Sequence, residues 1–551
     1  MDENRNIQED DTYVLHGPSA STPISQELLG KAILSSLLSR PEGMLAMIDA
    51  FTRDALSYSQ FLQKCVNLAT ALHFLGYQGQ GTVIAICSEN CLDFFIPAFA
   101  ALLNGSISAP VSPFYTPYEL QHVLSISKPK LVFCSAGVVE KFRQLRRTDA
   151  SSIERIVLFG DENHDSVENL DKFIQNTLKG KTVDPKTFRP VEGRPESTVS
   201  VIFCSSGTTG LPKGVALSHQ CLSISILHPL DEVTSTKYQL GLLPFFHAFG
   251  HIVGLRHLLL GRTIVFMKRF DEDVFLRSIQ DYGVDTLMIS PPLALFLAKS
   301  DKVLKYDLST VKHVLCGAAP LSKNMEEEVK RRLNCEDVRQ GYGLTETTLA
   351  VTMIYPGDQR SGSCGTLLNY ISGKVRDPAT GRSLGPRQIG ELCWKGPSVM
   401  MGYYGNEQAT KETFTSDGWL KTGDLGYYDE NGYFYVVDRM KELIKYNAFQ
   451  VAPAELEAIL INHPKISDAG VVGLPDRNAG ELPLAFVVKN NEKLTEKEVQ
   501  EYVQGLVSPH KRLRGGVIFI DSIPKNLTGK ILRRQLREML KRHETSIRSK
   551  L

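Results

Sequence analysis

The sequence predicts an α/β protein, and three patterns carry the prediction: apolar runs alternating with helical stretches, a later block of period-two strands, and a compact mixed segment at the end. The alternation starts near Thr82 with "TVIAIC", "KLVFC", "IVLFG", "TVSVIFC", "TIVFM", "DTLMIS" and "VKHVLCGAA", which argues for α/β layers around largely parallel sheets. Around "ELCWKGPSVMMGYY" and "YFYVVDR" the period becomes two, the mark of a more antiparallel β region. A short hinge is expected at Arg439 to Lys441. Beyond it, "VAPAELEAILINHP" reads as a helix carrying Leu456, Ile459 and Leu460, and "DAGVVGL" and "LAFVV" read as strands. Thr495-x-x-Glu498 then caps a helix with Val499, Tyr502, Val503 and Leu506 on one face, enough for a small α+β domain. The basic "KILRRQLREMLKRHETSIR" is a further helix, with Leu532, Leu536, Met539 and Leu540 together.

Bulk properties exclude several classes. A chain of 551 residues far exceeds one typical domain, and a net charge of +1 with 42% apolar residues is an ordinary globular profile that points to neither nucleic acid nor membrane. The longest apolar run, Phe94 to Leu103, contains a proline and is too short to span a bilayer. The ten cysteines are scattered through apolar surroundings, as reduced thiols are, and no His or Cys cluster joins Cys87 and Cys91 into a metal site. The acidic start "MDENRNIQEDD" lacks a secretory pattern and reads as a disordered arm. At the other end Ser549-Lys550-Leu551 is the tripeptide read by the peroxisomal import receptor, so a peroxisomal location is expected.

Five stretches carry candidate chemistry. "CSSGTTGLPKGV", from Cys204 to Val215, has almost no apolar side chain and cannot fill a core. Its hydroxyls at Ser205, Ser206, Thr208 and Thr209 can converge on phosphate oxygens, Gly207 and Gly210 permit left-handed turns, and Lys213 adds a point charge. An ordinary turn is the competing reading, and the spacing is not that of a P-loop. "GYGLTETT" sets Thr345 and Glu346 beside permissive glycines, where a carboxylate suits a hydrated Mg²⁺ on phosphates or is a solvated loop Glu. Asp424 suits a ribose diol and Arg439 hydroxyls or phosphate, although the same two residues also read as a salt bridge across a hairpin. Lys530, in "PKNLTGK", is either a solubilising charge or a lysine delivered by a mobile domain to a site of developing negative charge. His247 sits among three phenylalanines in "LPFFHAFG", as a packed core residue or a pocket residue does.

As a set, "SSGTTGLPKGV", "GYGLTETT", "GELCWKGPSVMMGYY", "DGWLKTGDLGYYDENGYFYVVDRMKELIKY", "QVAPAELEAIL", "DAGVVGLPD" and "PKNLTGKILRRQLR" resemble the adenylate-forming (ANL) superfamily of acyl-CoA synthetases, 4-coumarate:CoA ligases and beetle luciferases. The local texture is most similar to the insect luciferase-like peroxisomal acyl-CoA synthetases. This resemblance implies an N-terminal domain over 1–438, made of two α/β subdomains and a β-barrel-like region that bind ATP and an acid, a hinge at 439–441, and a mobile C-terminal domain over 442–551. It also implies two half-reactions, acyl-AMP formation from a carboxylic acid and ATP with Mg²⁺, then transfer to coenzyme A. Ser205 to Lys213 would cradle the β and γ phosphates, Thr345 and Glu346 the α-phosphate and Mg²⁺, Gln340, Gly341 and Tyr342 the adenine neighbourhood, and Asp424 the ribose. Arg439, Gly317 and Ala318 would join the nucleotide site, His247 would line the acyl pocket, Lys530 would bridge the carboxylate and AMP, and Lys445 would act after domain rotation.

Departures from beetle luciferases bear on the acid. Phe246 replaces the first of a His-His pair, Ser225 stands where they carry Arg, Leu349 where they carry Ser, and Ala318 where they carry Gly. Each exchange but the last removes a polar contact, and a greasier pocket is expected to grade fatty chains at about 0.8 kcal/mol per buried CH₂. Ala448 replaces a common Gly in the turn expected to serve the CoA half-reaction. The reading is an ATP-dependent fatty acyl-CoA ligase for medium to long chains. A light-emitting luciferase-type monooxygenase, a 4-coumarate-type ligase and a degenerate adenylate-binding protein are the rivals.

Overall fold

The computed structural model describes residues 11–18, 23–148, 151–160, 167–205, 212–227, 237–319, 321–358, 360–447, 449–477, 479–526 and 529–548. Residues 206–210, Ala448, the acidic start and Ser549 to Leu551 lie outside them. A seven-stranded sheet runs in the order Gly402–Tyr403, Lys213–Ser218, Val199–Ser205, Ile107–Pro110, Val83–Cys87, Leu131–Cys134, Arg155–Leu158. Its last five strands are parallel and the first two join antiparallel. The apolar run read as buried is the helix Phe95–Asn104, every residue of which is buried; it packs on the helix Tyr58–Phe74 through an edge-to-face Phe61–Phe99 pair at 4.9 Å. A second mixed sheet places Thr286–Ile289, His313–Cys316 and Asp337–Leu344 in parallel, followed antiparallel by Leu349–Met353 and Thr366–Leu367. A four-stranded sheet, Tyr238–Gly241, Thr263–Phe266, Leu45–Asp49 and Ala55–Ser57, lies between these layers in the core contacts.

The period-two block forms the antiparallel, barrel-like region: Leu15–His16, Ser372–Arg376, Gly390–Lys395, Leu420–Tyr428 and Phe434–Arg439 in that order, around Trp394 and Phe434. From Ile444 a separate five-stranded sheet begins, with its own core of Leu456, Leu460, Val471, Val487, Val499 and Val503. The Thr495 hydroxyl accepts from the Glu498 N–H at 3.2 Å, as the capping pattern predicts. Leu506 departs from its predicted face. The helix ends at Gln504, and beyond Gly505 the 3.6-residue repeat no longer carries Leu506 inward, leaving it 59% exposed. The terminal helix begins at Arg533, with Leu536 and Leu540 buried. None of the ten cysteines forms a disulfide, and among the described residues no three His, Cys, Asp or Glu side chains gather as a metal site. Among those residues no helix is long and apolar enough to cross a membrane.

Specific contacts fix the C-terminal body against the rest. The Asp438 carboxylate, at the end of Phe434–Arg439, accepts the Ala454 N–H at 3.0 Å at the start of the helix Pro453–Ile461, where a helix N-terminus favours an anion. Lys299 donates to the Ile461 carbonyl at 3.3 Å. Gly529 adopts φ +83 and lies against Pro292 of the helix Pro291–Lys299, where an added Cβ would come within 2.6 Å of the ring. Only glycine meets both demands at little cost.

Candidate active site

The carboxyl ends of the parallel strands and the docked C-terminal body enclose a cavity of about 610 Å³. Ser205 ends one central strand, Gly317 and Ala318 follow His313–Cys316, and Gln340 to Leu344 close Asp337–Leu344, so strand ends deliver most of the lining. Of the residues singled out from sequence, Ser205, Lys213, His247, Gly317, Ala318, Gln340, Gly341, Tyr342, Thr345, Glu346, Arg439 and Lys530 line this one cavity. Part of its wall is apolar: Met288, Leu315, Ala350 and Met353 pack as one cluster, and Leu349 and Phe249 add to the apolar lining.

Glu346 Oε1 accepts two hydroxyls, from Ser205 at 2.8 Å and from Tyr403 at 3.1 Å. Among the described residues none donates to Oε2 and none forms an ion pair with Glu346. A divalent cation fits that carboxylate: one oxygen is fixed and the other unengaged, and with no cluster of three His, Cys, Asp or Glu side chains among the described residues the remaining ligands would come from phosphates and water, as Mg²⁺ prefers. Lys213 Nζ lies 4.6 Å over the Tyr403 ring. Tyr403, Arg339, Thr422, Lys441 and Asn526 were not singled out from the sequence, though they too line the cavity. "MMGYY" carried family resemblance but no pattern that marks a hydroxyl aimed at a carboxylate 57 residues away.

Of the two readings of Asp424 and Arg439, the structure shows the ion pair across the hairpin. The two residues face each other across antiparallel strands and form an ion pair at 3.1 Å, while Tyr342 donates to the other Asp424 oxygen at 2.7 Å. Asp424 is nearly buried behind Tyr342 and Arg439 rather than in the lining, and its Oδ1 makes the ion pair but no aligned hydrogen bond, leaving acceptor capacity for a sugar hydroxyl. Gln340 lines the cavity with its side-chain amide engaged by neighbouring groups. Its Oε1 accepts the Leu321 N–H at 2.8 Å, its Nε2 donates to the Leu321 carbonyl at 2.9 Å and to Glu326, and so its side chain braces the loop after Ala318 while its backbone faces the cavity. Ala318 itself is left-handed at φ +73, and Leu349 at φ +77. A non-glycine residue in that region carries strain.

His247 precedes the helix Ala248–Leu259 and accepts the Phe249 N–H on Nδ1 at 3.3 Å, so its proton resides on Nε2. Burial pulls its pKa down to about 4, which keeps the ring neutral at pH 7. Lys530 follows the tight turn in which its N–H donates to Asn526 Oδ1 at 2.8 Å and the Asn526 N–H donates back to its carbonyl at 2.9 Å. Burial first, and the Arg439 charge second, lower its pKa to about 8. Arg533, three residues on, is held between Glu442 at 2.7 Å and Glu457 at 2.7 Å, which anchors the start of the terminal helix behind the lysine. Lys445 stands apart, exposed on Ile444–Tyr446 and outside the cavity.

The family model described as "AMP-binding enzyme" matches residues 38–404, and that of its C-terminal domain matches residues 455–530. The chain is an AMP-binding enzyme of the adenylate-forming (ANL) superfamily. Among curated relatives of this superfamily, luciferin 4-monooxygenase of Photuris pensylvanica is 42% identical over 98% of this chain and 100% of its own. A probable 4-coumarate–CoA ligase of Dictyostelium discoideum is 39% identical over 94% and 96%. Among solved structures, ATP-bound MatB of Rhodopseudomonas palustris, 27% identical over 92% of this chain and 98% of its own, aligns with a TM-score of 0.82. Apo MatB aligns over the same shares at 0.72, so the arrangement of this AMP-binding enzyme lies nearer the ATP-bound form. The superfamily assignment makes the protein an ATP-using, adenylate-forming enzyme, of a kind that includes CoA ligases and luciferases.

Proposed function

We propose that the protein is a peroxisomal ATP- and Mg²⁺-dependent fatty acyl-CoA ligase acting on medium to long chains. The carboxylate attacks the α-phosphorus of ATP with loss of pyrophosphate, and the thiolate of coenzyme A then displaces AMP from the acyl-adenylate. The observation that carries this reading is a single cavity whose lining combines Lys530, Lys213 and Glu346 with an apolar cluster of Met288, Leu315, Ala350 and Met353. Phosphoryl transfer needs positioning and charge neutralisation rather than a protein nucleophile, and this lining offers both.

Each side chain has a distinct task. Lys213 and the Ser205 hydroxyl meet the β and γ phosphates, and Thr345 meets the α-phosphate. Mg²⁺, when bound, neutralises phosphate charge, and Glu346 would hold it through Oε2. Asp424 accepts a ribose hydroxyl, steadied by Tyr342 and Arg439. Lys530 brings the carboxylate and the α-phosphate together and opposes the charge that develops between them. The neutral His247 ring donates from Nε2 at the acyl end without placing a second cation beside Lys530. Lys445 serves the thioester step from a second pose of the C-terminal body, consistent with its exposure here.

The chemistry of the apolar lining favours a fatty acid over luciferin or a phenolic acid. Leu349 lines the cavity, and Ser225 donates its hydroxyl to the Thr348 carbonyl at 2.7 Å, so neither offers a polar group to an aromatic acid. The test is CoA-dependent thioester and AMP formation with saturated acids of graded length, cinnamic acids and luciferin, with light recorded in the same wells. Fatty acyl-CoA without light is the expected result. Light from luciferin with little fatty thioester would support the monooxygenase reading, and preference for cinnamic acids the 4-coumarate type.

A further inference from the structure

We propose that Tyr403 is a positioning residue that holds Glu346 and Lys213 apart and preset for the triphosphate end of Mg·ATP. The proposal rests on the reading that Glu346 meets the metal and Lys213 the outer phosphates. Two independent contacts of one side chain carry it. The hydroxyl donates to Glu346 Oε1 at 3.1 Å, and the face of the ring receives Lys213 Nζ at 4.6 Å. A carboxylate and an ammonium in one cavity would otherwise pair with each other, which occupies both. Here they do not: among the described residues Glu346 has no ion-pair partner. A ring quadrupole holds an ammonium far more loosely than a carboxylate does and yields readily to a phosphate. The hydroxyl, acting with that of Ser205, fixes one carboxylate oxygen and leaves the other for a cation.

The backbone seat of Tyr403 is built to hold this pose. The short strand Gly402–Tyr403 pairs with Val215 and Ala216, next to Lys213 on the same strand, and the Tyr403 N–H donates to Thr410 Oγ1 at 2.9 Å. Gly402 takes φ +145, and a Cβ there would come within 2.7 Å of Thr410, so the approach is reserved for glycine.

The test is calorimetric binding to the full-length protein of two probes, the β,γ-methylene analogue of ATP with Mg²⁺ and AMP alone, for wild type, Tyr403→Phe and Tyr403→Leu. Tyr403→Phe keeps the ring and loses the hydroxyl bond to a charged group, which is expected to weaken the Mg²⁺ analogue about tenfold. Tyr403→Leu also frees Lys213 to pair with Glu346 and should weaken it further. AMP lacks the outer phosphates, so its affinity should stay within about twofold in both variants. Phe binding the analogue as wild type does, or both probes losing affinity together, would overturn the role. Wild type binding the analogue no more tightly than AMP would instead overturn the phosphate reading on which it rests.

Discussion

Replacing Lys530 with Met removes the ammonium while keeping much of its length, and the structure sets two opposite consequences. The side chain lines the cavity with Arg439, Thr345 and Glu346, and on the proposed function charge develops beside it at the α-phosphate. Loss of one such preorganised contact costs roughly 10²–10³ in rate. Acyl-AMP formation followed by rapid quench should fall by that factor, whereas thioester formation from supplied acyl-AMP should change much less. The docked state, in contrast, should gain. Docking lowers the lysine's pKa from 10.5 to about 8, so at pH 7 it is charged in both states and the desolvation penalty is fully present; the penalty fades as pH rises from about 8 towards 10.5. At about 1.4 kcal/mol per unit, the Met variant should be more stable at pH 7 by roughly 3 kcal/mol at most, with the gap closing in that alkaline window. Wild-type adenylation should also decline above pH 8 and the variant's residual rate should not. Equal losses in both half-reactions, or a variant less stable at pH 7, would refute the reasoning.

Three other substitutions probe the cavity's walls. Gly529→Ala forces a Cβ to within 2.6 Å of Pro292 at φ +83, and should lower adenylation at least tenfold while single-turnover thioester formation and the melting temperature change little; an unchanged adenylation rate would show that the docked turn tolerates the shift. Ala318→Gly relieves about 1–2 kcal/mol of left-handed strain and restores about 0.5–1 kcal/mol of chain entropy, so denaturant unfolding should show a net gain of at most about 1.5 kcal/mol, and a loss would mean that the methyl group's packing outweighs the strain. Because burial holds His247 near pKa 4, the pH profile of adenylation should carry no inflection from it between pH 5 and 8. An inflection near 6.5 that His247→Gln removes would contradict its neutral role.

The parallel strands, the antiparallel block and the C-terminal body were legible because each has its own hydrophobic period, and Thr495-x-x-Glu498 marked a helix start through a local hydrogen bond. The same reasoning overran at Leu506, since a helix end set by Gly505 interrupts a period that the residue types alone continue. Lys213 was legible as part of a stretch that a core cannot use, whereas Glu346 and Lys530 read equally as solvated charges until the fold placed all three in one cavity lining. Tyr403 was not, because its meaning arises from the pairing of Gly402–Tyr403 with a strand about 190 positions earlier, and nothing in "MGYY" records that neighbour. Gln340 was legible as a site residue but not in its orientation, which depends on the Leu321 backbone folding back onto it. Asp424 and Arg439 presented two local readings, of which the fold shows the ion pair, and that pair leaves Asp424 Oδ1 without a hydrogen bond.

On the proposed function, the cavity joins a fatty carboxylate to AMP before coenzyme A takes part. Acid-dependent exchange of labelled pyrophosphate into ATP, measured on the full-length protein with Mg²⁺ and saturated fatty acids but no coenzyme A, tests it most directly. The account predicts exchange that requires the acid, rises with chain length as the apolar wall fills, and is largely lost in Lys530→Met. Exchange supported by no fatty acid of any length, or appearing only once coenzyme A is added, would contradict it.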